Sequence, residues 1–91
     1  MKMEVKVLKD EDGYLEVMLM QEDLGFANLV VDRLLESRGV GFAASAYEHP
    51  LKGNPIIKVK AKDPHKELKK ALEGVKEELE KFEKALKKEL K

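Results

Sequence analysis

The last third of the chain predicts a helix longer than a domain of this size can cover. Asp63 followed by Pro64 is a strong start signal, because aspartate can cap free backbone N–H groups and proline suits the first helical position. A helix of about 26 residues from this point would span roughly 39 Å. A compact chain of 91 residues has an expected radius of gyration of about 12 Å and a body about 30 Å across. The C-terminal turns should therefore overhang their own domain or lie against another one.

The apolar residues of this helix form a stripe with heptad spacing. They recur at intervals of four and three residues, as in helices that pack side by side. The stripe consists of Leu68, Leu72, Val75, Leu79, Phe82 and Leu86. Its first half can pack on a sheet of the same chain, whereas the overhanging half cannot. The helix therefore points to a partner.

A shorter helix is predicted in the segment QEDLGFANLVVDRLL, residues 21–35. Glu22 and Asp23 provide a carboxylate cap at its start, and Gly39 is predicted to end it. An ordinary amphipathic helix keeps one apolar stripe, but here the apolar residues spread over more than half of the helical wheel. They are Leu24, Phe26, Ala27, Leu29, Val30, Val31, Leu34 and Leu35. This spread predicts that the helix contacts a partner as well as the sheet of its own chain.

Four segments have the hydrophobic pattern of β-strands. They are residues 2–7, 14–20, 40–47 and 56–62. Asp12–Gly13 is a hairpin signal between the first two, and KGNP, residues 52–55, predicts the turn between the last two. The inward-facing positions are Leu15, Val17, Leu19, Ile57, Val59 and Ala61. The order ββαββα predicts one α+β domain over residues 1–91, a four-stranded antiparallel sheet with two helices packed on one face and a long C-terminal helix.

Composition argues against several classes of function. The chain has 18 basic and 18 acidic residues, whereas domains that bind nucleic acid directly usually have a basic excess. It has no cysteine, which excludes disulfides and thiolate metal sites. No apolar run approaches the roughly 18 residues of a membrane span, and the N-terminus lacks the apolar core of a signal peptide. We therefore expect a cytoplasmic protein, and the Lys/Glu-rich composition suggests a thermophilic source.

The sequence offers little catalytic chemistry. His49 and His65 are the only histidines, and they belong to no metal-ligand spacing. Ser37 and Ser45 have no partner histidine within a motif, and the glycines form no phosphate-binding loop before a helix. We predict no catalytic, cofactor-binding or metal-binding residue, which leaves an interaction module.

Two segments resemble the signature segments of archaeal RNA polymerase subunit L. They are EDLGFANL, residues 22–29, and VGFAASAYEHPL, residues 40–51. Their order and spacing, the ββαββα pattern and the long charged final helix extend the resemblance over essentially the whole chain. The family's usual His-Thr is Leu24–Gly25 here, which removes a polar helix start. That departure leaves open either a divergent subunit or a paralogue outside the main enzyme.

The resemblance implies a function. Subunit L is similar to one half of the bacterial α-subunit dimer and pairs with the polymerase's D-type subunit, and the pair forms the platform for the two large polymerase subunits. Because the family's enzyme holds its Mg²⁺ in the largest subunit, the chain would be a non-catalytic accessory subunit of a nucleotidyltransferase. The expected partner-interface residues are Phe26, Leu29, Val30, Arg33, Leu34, Leu79, Phe82 and Leu86.

Two alternatives remain open from the sequence. One is a standalone homodimeric scaffold, or a chromatin- or transcription-associated paralogue. The other is a small enzyme of the pterin carbinolamine dehydratase type, which also uses a sheet with two helices. Its active site resembles a cluster built on His-His-Pro, but this chain has a single histidine before Pro50. In every case the isolated chain is expected to self-associate weakly, because exposed apolar patches tend to become covered.

Overall fold

In a computed structural model that describes residues 4–49 and 52–90, one antiparallel sheet carries two helices on the same face. The elements are β1 (Glu4–Glu11), β2 (Tyr14–Met20), α1 (Leu24–Glu36), β3 (Val40–His49), β4 (Lys52–Ala61) and α2 (Pro64–Glu89). The strand order is β1-β2-β4-β3, which puts β1 and β3 at the two edges. The predicted ββαββα fold with a long C-terminal helix is confirmed.

The core lies between the two helices and the inner face of the sheet. The predicted inward positions of β2 and β4 are buried or packed against the core. Each helix adds one face to them, and full burial of a large aliphatic side chain stabilises by about 1.5–3 kcal/mol. The helix contributions are Phe26, Ala27, Val30, Val31 and Leu34 from α1 and Leu68, Ala71 and Val75 from α2. The buried residues of this small core come from β2, β4 and the two helices.

Two side chains cap the start of α1. Asp23 Oδ1 accepts a hydrogen bond from the Phe26 backbone N–H at 2.8 Å, and the Tyr47 hydroxyl oxygen accepts one from Leu24 N–H at 3.1 Å. They satisfy two of the four backbone donors that a helix leaves free at its start. The predicted cap near Glu22–Asp23 is therefore confirmed, and the helix start is polar despite Leu24–Gly25.

The predicted end of α1 at Gly39 is wrong. The helix ends at Glu36, and the C-cap Ser37 is extended, with its N–H donating to the Leu34 carbonyl at 3.1 Å. Gly39 does not adopt the left-handed conformation of a glycine cap. The Ser37 hydroxyl instead donates to Glu67 Oε1 of α2 at 2.7 Å. This contact between the helices turns the chain toward β3 earlier than the glycine signal suggests.

The predicted turn at residues 52–55 is also wrong, because β4 already begins at Lys52. Pro55 fits inside this strand because β2 stops pairing with β4 at Ile56, so β4 has one neighbour there instead of two. β3 ends at His49 and β4 begins at Lys52, and the two residues between them, Pro50 and Leu51, lie outside the described residues. β1 differs too, because a register shift between Val7 and Lys9 lets it continue to Glu11.

The inner face of β1 is largely uncovered. Val5 pairs with buried Leu19, and Val7 pairs with buried Val17, so both valines face the helix side of the sheet. They are nevertheless 42% and 53% exposed. Within the described residues, the one side-chain polar contact between a helix and this strand is at the start of α2, where His65 Nε2 lies 2.9 Å from Asp10 Oδ1. The helices therefore cover three of the four strands.

Helix α2 begins and extends as predicted. Asp63 Oδ1 accepts from Lys66 N–H at 3.3 Å, Pro64 occupies the first turn, and the helix has 26 residues. Its last buried residue is Val75, and every residue from 80 to 89, called the overhang below, is exposed. The described chain is accordingly elongated, 49 × 33 × 19 Å, with a radius of gyration of 14.0 Å. The predicted overhang is present.

Replacing Phe26 with glutamate is expected to unfold the domain. The side chain is 8% exposed in the core, so the change loses the roughly 3–5 kcal/mol typical of removing a buried phenylalanine and adds the cost of an unpaired buried carboxylate. Thermal unfolding followed by circular dichroism measures the effect. A melting temperature within a few degrees of the wild type would contradict the placement of Phe26 in the core.

Alkaline pH is expected to weaken the fold through Tyr14. A hydrogen bond to Glu16 at 2.5 Å, burial, and the negative charges of Glu16 and Glu11 raise the pKa of Tyr14 from 10.0 to about 12. Because the folded state holds this proton more tightly, its stabilising effect is complete below pH 10.0 and is lost as the pH rises toward 12. Tyrosinate absorbance should show a transition near the raised value that disappears in Tyr14→Phe. A Tyr14→Phe protein that keeps this transition would contradict the assignment.

Candidate partner interface

The overhang carries an apolar stripe that no other described part of the chain covers. Phe82 is 66% exposed, Leu86 46% and Leu90, at the helix end, 76%. Leu79 is half-buried and joins this stripe to the core. These four residues, Leu79, Phe82, Leu86 and Leu90, are called the seam below. Large apolar side chains grouped along one helix face are typical of a protein-binding surface.

The seam continues the face by which α2 packs on its own sheet. Leu86 follows Leu68 by 18 residues, which is five full turns at 3.6 residues per turn. Leu86 and Leu68 therefore project in the same direction from the helix axis. Leu68 is 5% exposed, because the sheet lies beneath it, whereas Leu86 has no sheet beneath it. The overhang thus presents a core-type face without a neighbour.

Helix α1 contributes Leu29 beside this face. The two helices run antiparallel, because Ser37 contacts Glu67 near one end of the pair and Arg33 contacts Glu78 further along α2. Leu29 lies one turn before Arg33 on α1 and therefore lies toward the overhang. It is 48% exposed. Exposed apolar side chains thus lie on both helices.

The structure separates the eight predicted interface residues into three groups. Phe26, Val30 and Leu34 are buried in the chain's own core, since their spacing of four residues puts all three on the side of α1 that faces the sheet. Arg33 is paired with Glu78 across the two helices. The remaining residues are exposed or half-buried, and they are Leu29, Leu79, Phe82 and Leu86.

Several exposed apolar residues lie outside the predicted interface, among them Leu90, Val5 and Val7. Leu90 follows Leu86 by four residues, so the helical spacing could have extended the stripe to it. Val5 and Val7 line a shallow groove between β1 and α2 together with Leu72. Their alternation predicted a strand with an inner face, but alternation cannot tell whether a helix reaches far enough to cover that face.

Charged side chains flank the seam and have little structural role of their own. Lys87 Nζ lies 3.8 Å from Glu83 Oε1, with both side chains mostly exposed. Such a pair contributes about 0.3–0.5 kcal/mol.

Among residues 4–49 and 52–90, no group of three or more His, Cys, Asp or Glu side chains could hold a metal ion. Within the same residues, no helix has the length and apolar character needed to cross a membrane.

Comparison with known proteins identifies the family. The family model for the RNA polymerase Rpb3/Rpb11 dimerisation domain matches residues 14–85. DNA-directed RNA polymerase subunit Rpo11 of Metallosphaera sedula is 38% identical over 77 residues, which cover 81% of this chain and 86% of that protein. Rpo11 of Saccharolobus solfataricus is 36% identical over 76 residues, covering 80% and 83%.

A solved structure has the same fold. The crystal structure of DNA-directed RNA polymerase subunit L from Thermoplasma acidophilum matches with a TM-score of 0.77 over 98% of this chain and 90% of that chain, at 23% identity. The segment matched by the family model contains β2, α1, β3, β4 and α2 as far as Ala85, which includes Leu79 and Phe82 of the seam. The chain belongs to the RNA polymerase Rpb3/Rpb11 dimerisation domain family.

Proposed function

We propose that this protein is the small assembly subunit of an archaeal DNA-directed RNA polymerase, and that it forms a heterodimer with a D-like polymerase subunit. The family and the relatives named Rpo11 support the polymerase role. In this role the protein is cytoplasmic and non-catalytic and makes no direct contact with nucleic acid. The heterodimer serves as the platform on which the large polymerase subunits assemble.

The observation that carries the proposal is the exposed seam. Phe82 is 66% exposed although it lies on the helix face that is buried closer to the N-terminus of α2. Removing a buried aromatic side chain from the centre of an interface typically weakens the free energy of binding by about 2 kcal/mol or more. The seam therefore has the composition of an interface centre, and the flanking lysines and glutamates have the composition of a polar rim.

The partner surface that fits the seam is an apolar helix face. The spacing of Leu79, Phe82 and Leu86 is that of a heptad, so a second helix can pack along it with its side chains between these residues. Leu29 of α1, which is 48% exposed, adds an apolar side chain from the other helix. We assign the pairing surface to these four residues and Leu90. Phe26, Val30 and Leu34 support it from within the core.

Phe82→Glu is expected to abolish pairing with the D-like polymerase subunit and to leave the domain folded. The carboxylate would have to lose its hydration inside an apolar interface, whereas in the isolated chain it remains in water. The matched control is Phe42→Glu. Phe42 is 45% exposed and pairs with Lys60 on the sheet face opposite the helices. Co-purification of the two proteins and circular dichroism of each variant are the measurements.

The outcomes are distinct. Lost pairing with native-like spectra for Phe82→Glu, and retained pairing for Phe42→Glu, support the proposal. Retained pairing for Phe82→Glu would mean that the partner docks elsewhere. Lost pairing for Phe42→Glu alone would move the interface to the outer face of the sheet.

The isolated chain is expected to form weak, concentration-dependent dimers. The seam spans only about three helical turns, which is too short for a stable pairing of two identical overhangs but enough for weak association. Analytical ultracentrifugation over a concentration series measures it, and Phe82→Glu should shift the equilibrium toward the monomer. A strictly monomeric wild type at millimolar concentration would contradict the expectation.

A further inference from the structure

Gly74 is an unexpected residue in the middle of α2. The helix is otherwise rich in lysine and glutamate, which favour helix formation, and glycine is among the least favourable residues in a helix interior. Gly74 is buried, next to Val75, the last buried residue of the helix. A glycine at such a position indicates that another group approaches the backbone closely.

The group that approaches is the guanidinium of Arg33 from α1. A Cβ atom at position 74 would lie 2.8 Å from Arg33 Cζ, closer than Cβ atoms approach such an atom, and 3.0 Å from Nη2, so the guanidinium would have to move. The Arg33 fork therefore lies over the bare helix backbone. Its Nη1 donates to Glu78 Oε1, one turn further along α2. Gly74 leaves room for the guanidinium beside the helix backbone, and Glu78 accepts its hydrogen bond.

A second polar contact joins the same two helices. Glu67, in the first turn of α2, accepts a hydrogen bond from the Ser37 hydroxyl at 2.7 Å. It too lies over a glycine, because a Cβ at Gly39 would be 3.2 Å from Glu67 Cδ. The contacts at Glu67 and Glu78 are 11 residues apart on α2, about three turns. Two attachment points separated along a helix define its direction.

We propose that Arg33, seated on Gly74 and bound to Glu78, is a positioning residue that aims the overhang, with Glu67 as the second attachment point. This inference rests on the proposed function, in which the overhang pairs with a partner. The Arg33 contact extends from Gly74 to Glu78, on either side of the last buried residue, Val75, and ends just before the overhang begins at residue 80. A small rotation there is amplified along the free helix.

The overhang acts as a lever of known length. Its ten residues extend about 15 Å, so a rotation of about 10° at the root moves its tip by roughly 2.6 Å. Interfaces are packed as closely as protein interiors, and displacements of this size prevent side chains from interdigitating. The contact therefore determines whether the seam meets a partner in register.

The experiment uses the absence of cysteine from the chain. Cysteines are introduced at Asp32 on α1 and Lys84 on the overhang, both exposed, and carry spin labels for distance measurement by pulsed electron resonance. Lys84 lies on the side of the helix away from the seam, so labelling leaves the seam free. Distances, melting temperatures and affinity for the D-like polymerase subunit are measured in Gly74→Ala, Arg33→Lys, Glu78→Gln and the exposed control Glu77→Ala.

Gly74→Ala is expected to change geometry and stability in different ways. The new methyl group displaces Arg33, so the label distance shifts or broadens by about 2–3 Å over a lever of about 15 Å. The melting temperature should stay equal or rise, because alanine favours the helix. Affinity for the partner should fall roughly tenfold.

Arg33→Lys should behave similarly, because lysine lacks the planar fork. Glu78→Gln keeps an acceptor and should retain the wild-type distance, as should Glu77→Ala.

Other outcomes would overturn the inference. An unchanged distance in Gly74→Ala would show that Arg33 does not aim the helix. A changed distance with unchanged partner affinity would show that the direction does not matter for pairing. If the wild type fails to bind the D-like polymerase subunit, the proposed function fails, and the label distances alone then decide whether Arg33 sets the direction of α2.

Discussion

The apolar side chains of α2 point in one direction along the whole helix, but the sheet beneath them ends after the first half. The buried residues of α2 lie between Pro64 and Val75, and the helix continues to Glu89. Beyond Leu79, the last residue packed against the core, the helix depends on the propensity of lysine, glutamate and leucine and on contacts between successive turns. Such support favours a helix but leaves its apolar side chains in water. The need to cover the seam therefore connects the fold of this chain to its proposed function.

Helix α1 cannot supply the main surface for a partner, because its large apolar side chains are needed in the core of this small domain. Phe26, Val30 and Leu34 close the sheet against water, and turning any of them outward would expose the core. A domain of this size buries only about 60–65% of the surface its unfolded chain exposes, so it has few apolar side chains to spare. The surface offered to a partner is for this reason concentrated on α2, with Leu29 as a contribution from α1.

Energetic magnitudes support a geometric role for the contact between the two helices. Glycine at position 74 costs the helix about 1 kcal/mol relative to alanine. A partly exposed ion pair such as Arg33–Glu78, whose side chains are 36% and 68% exposed, contributes about 0–1 kcal/mol. The pair thus does little more than offset the glycine that makes room for it. The pair therefore adds little to the free energy of unfolding, and its proposed role is to set the direction of α2.

Local sequence determined the elements of this protein, whereas tertiary packing decided which surfaces are free. The Asp12–Gly13 hairpin, the caps at Asp23 and Asp63 and the length of α2 follow from interactions between neighbouring residues, so their patterns predict them. The seam residues Leu79, Phe82 and Leu86 follow from helix length and spacing in the same way. The sequence could not show that Phe26 faces the core while Leu29 does not, that β4 begins at Lys52, or that Arg33 rests on Gly74. Each of these depends on how one element lies against another, which is set by contacts between residues far apart in the chain.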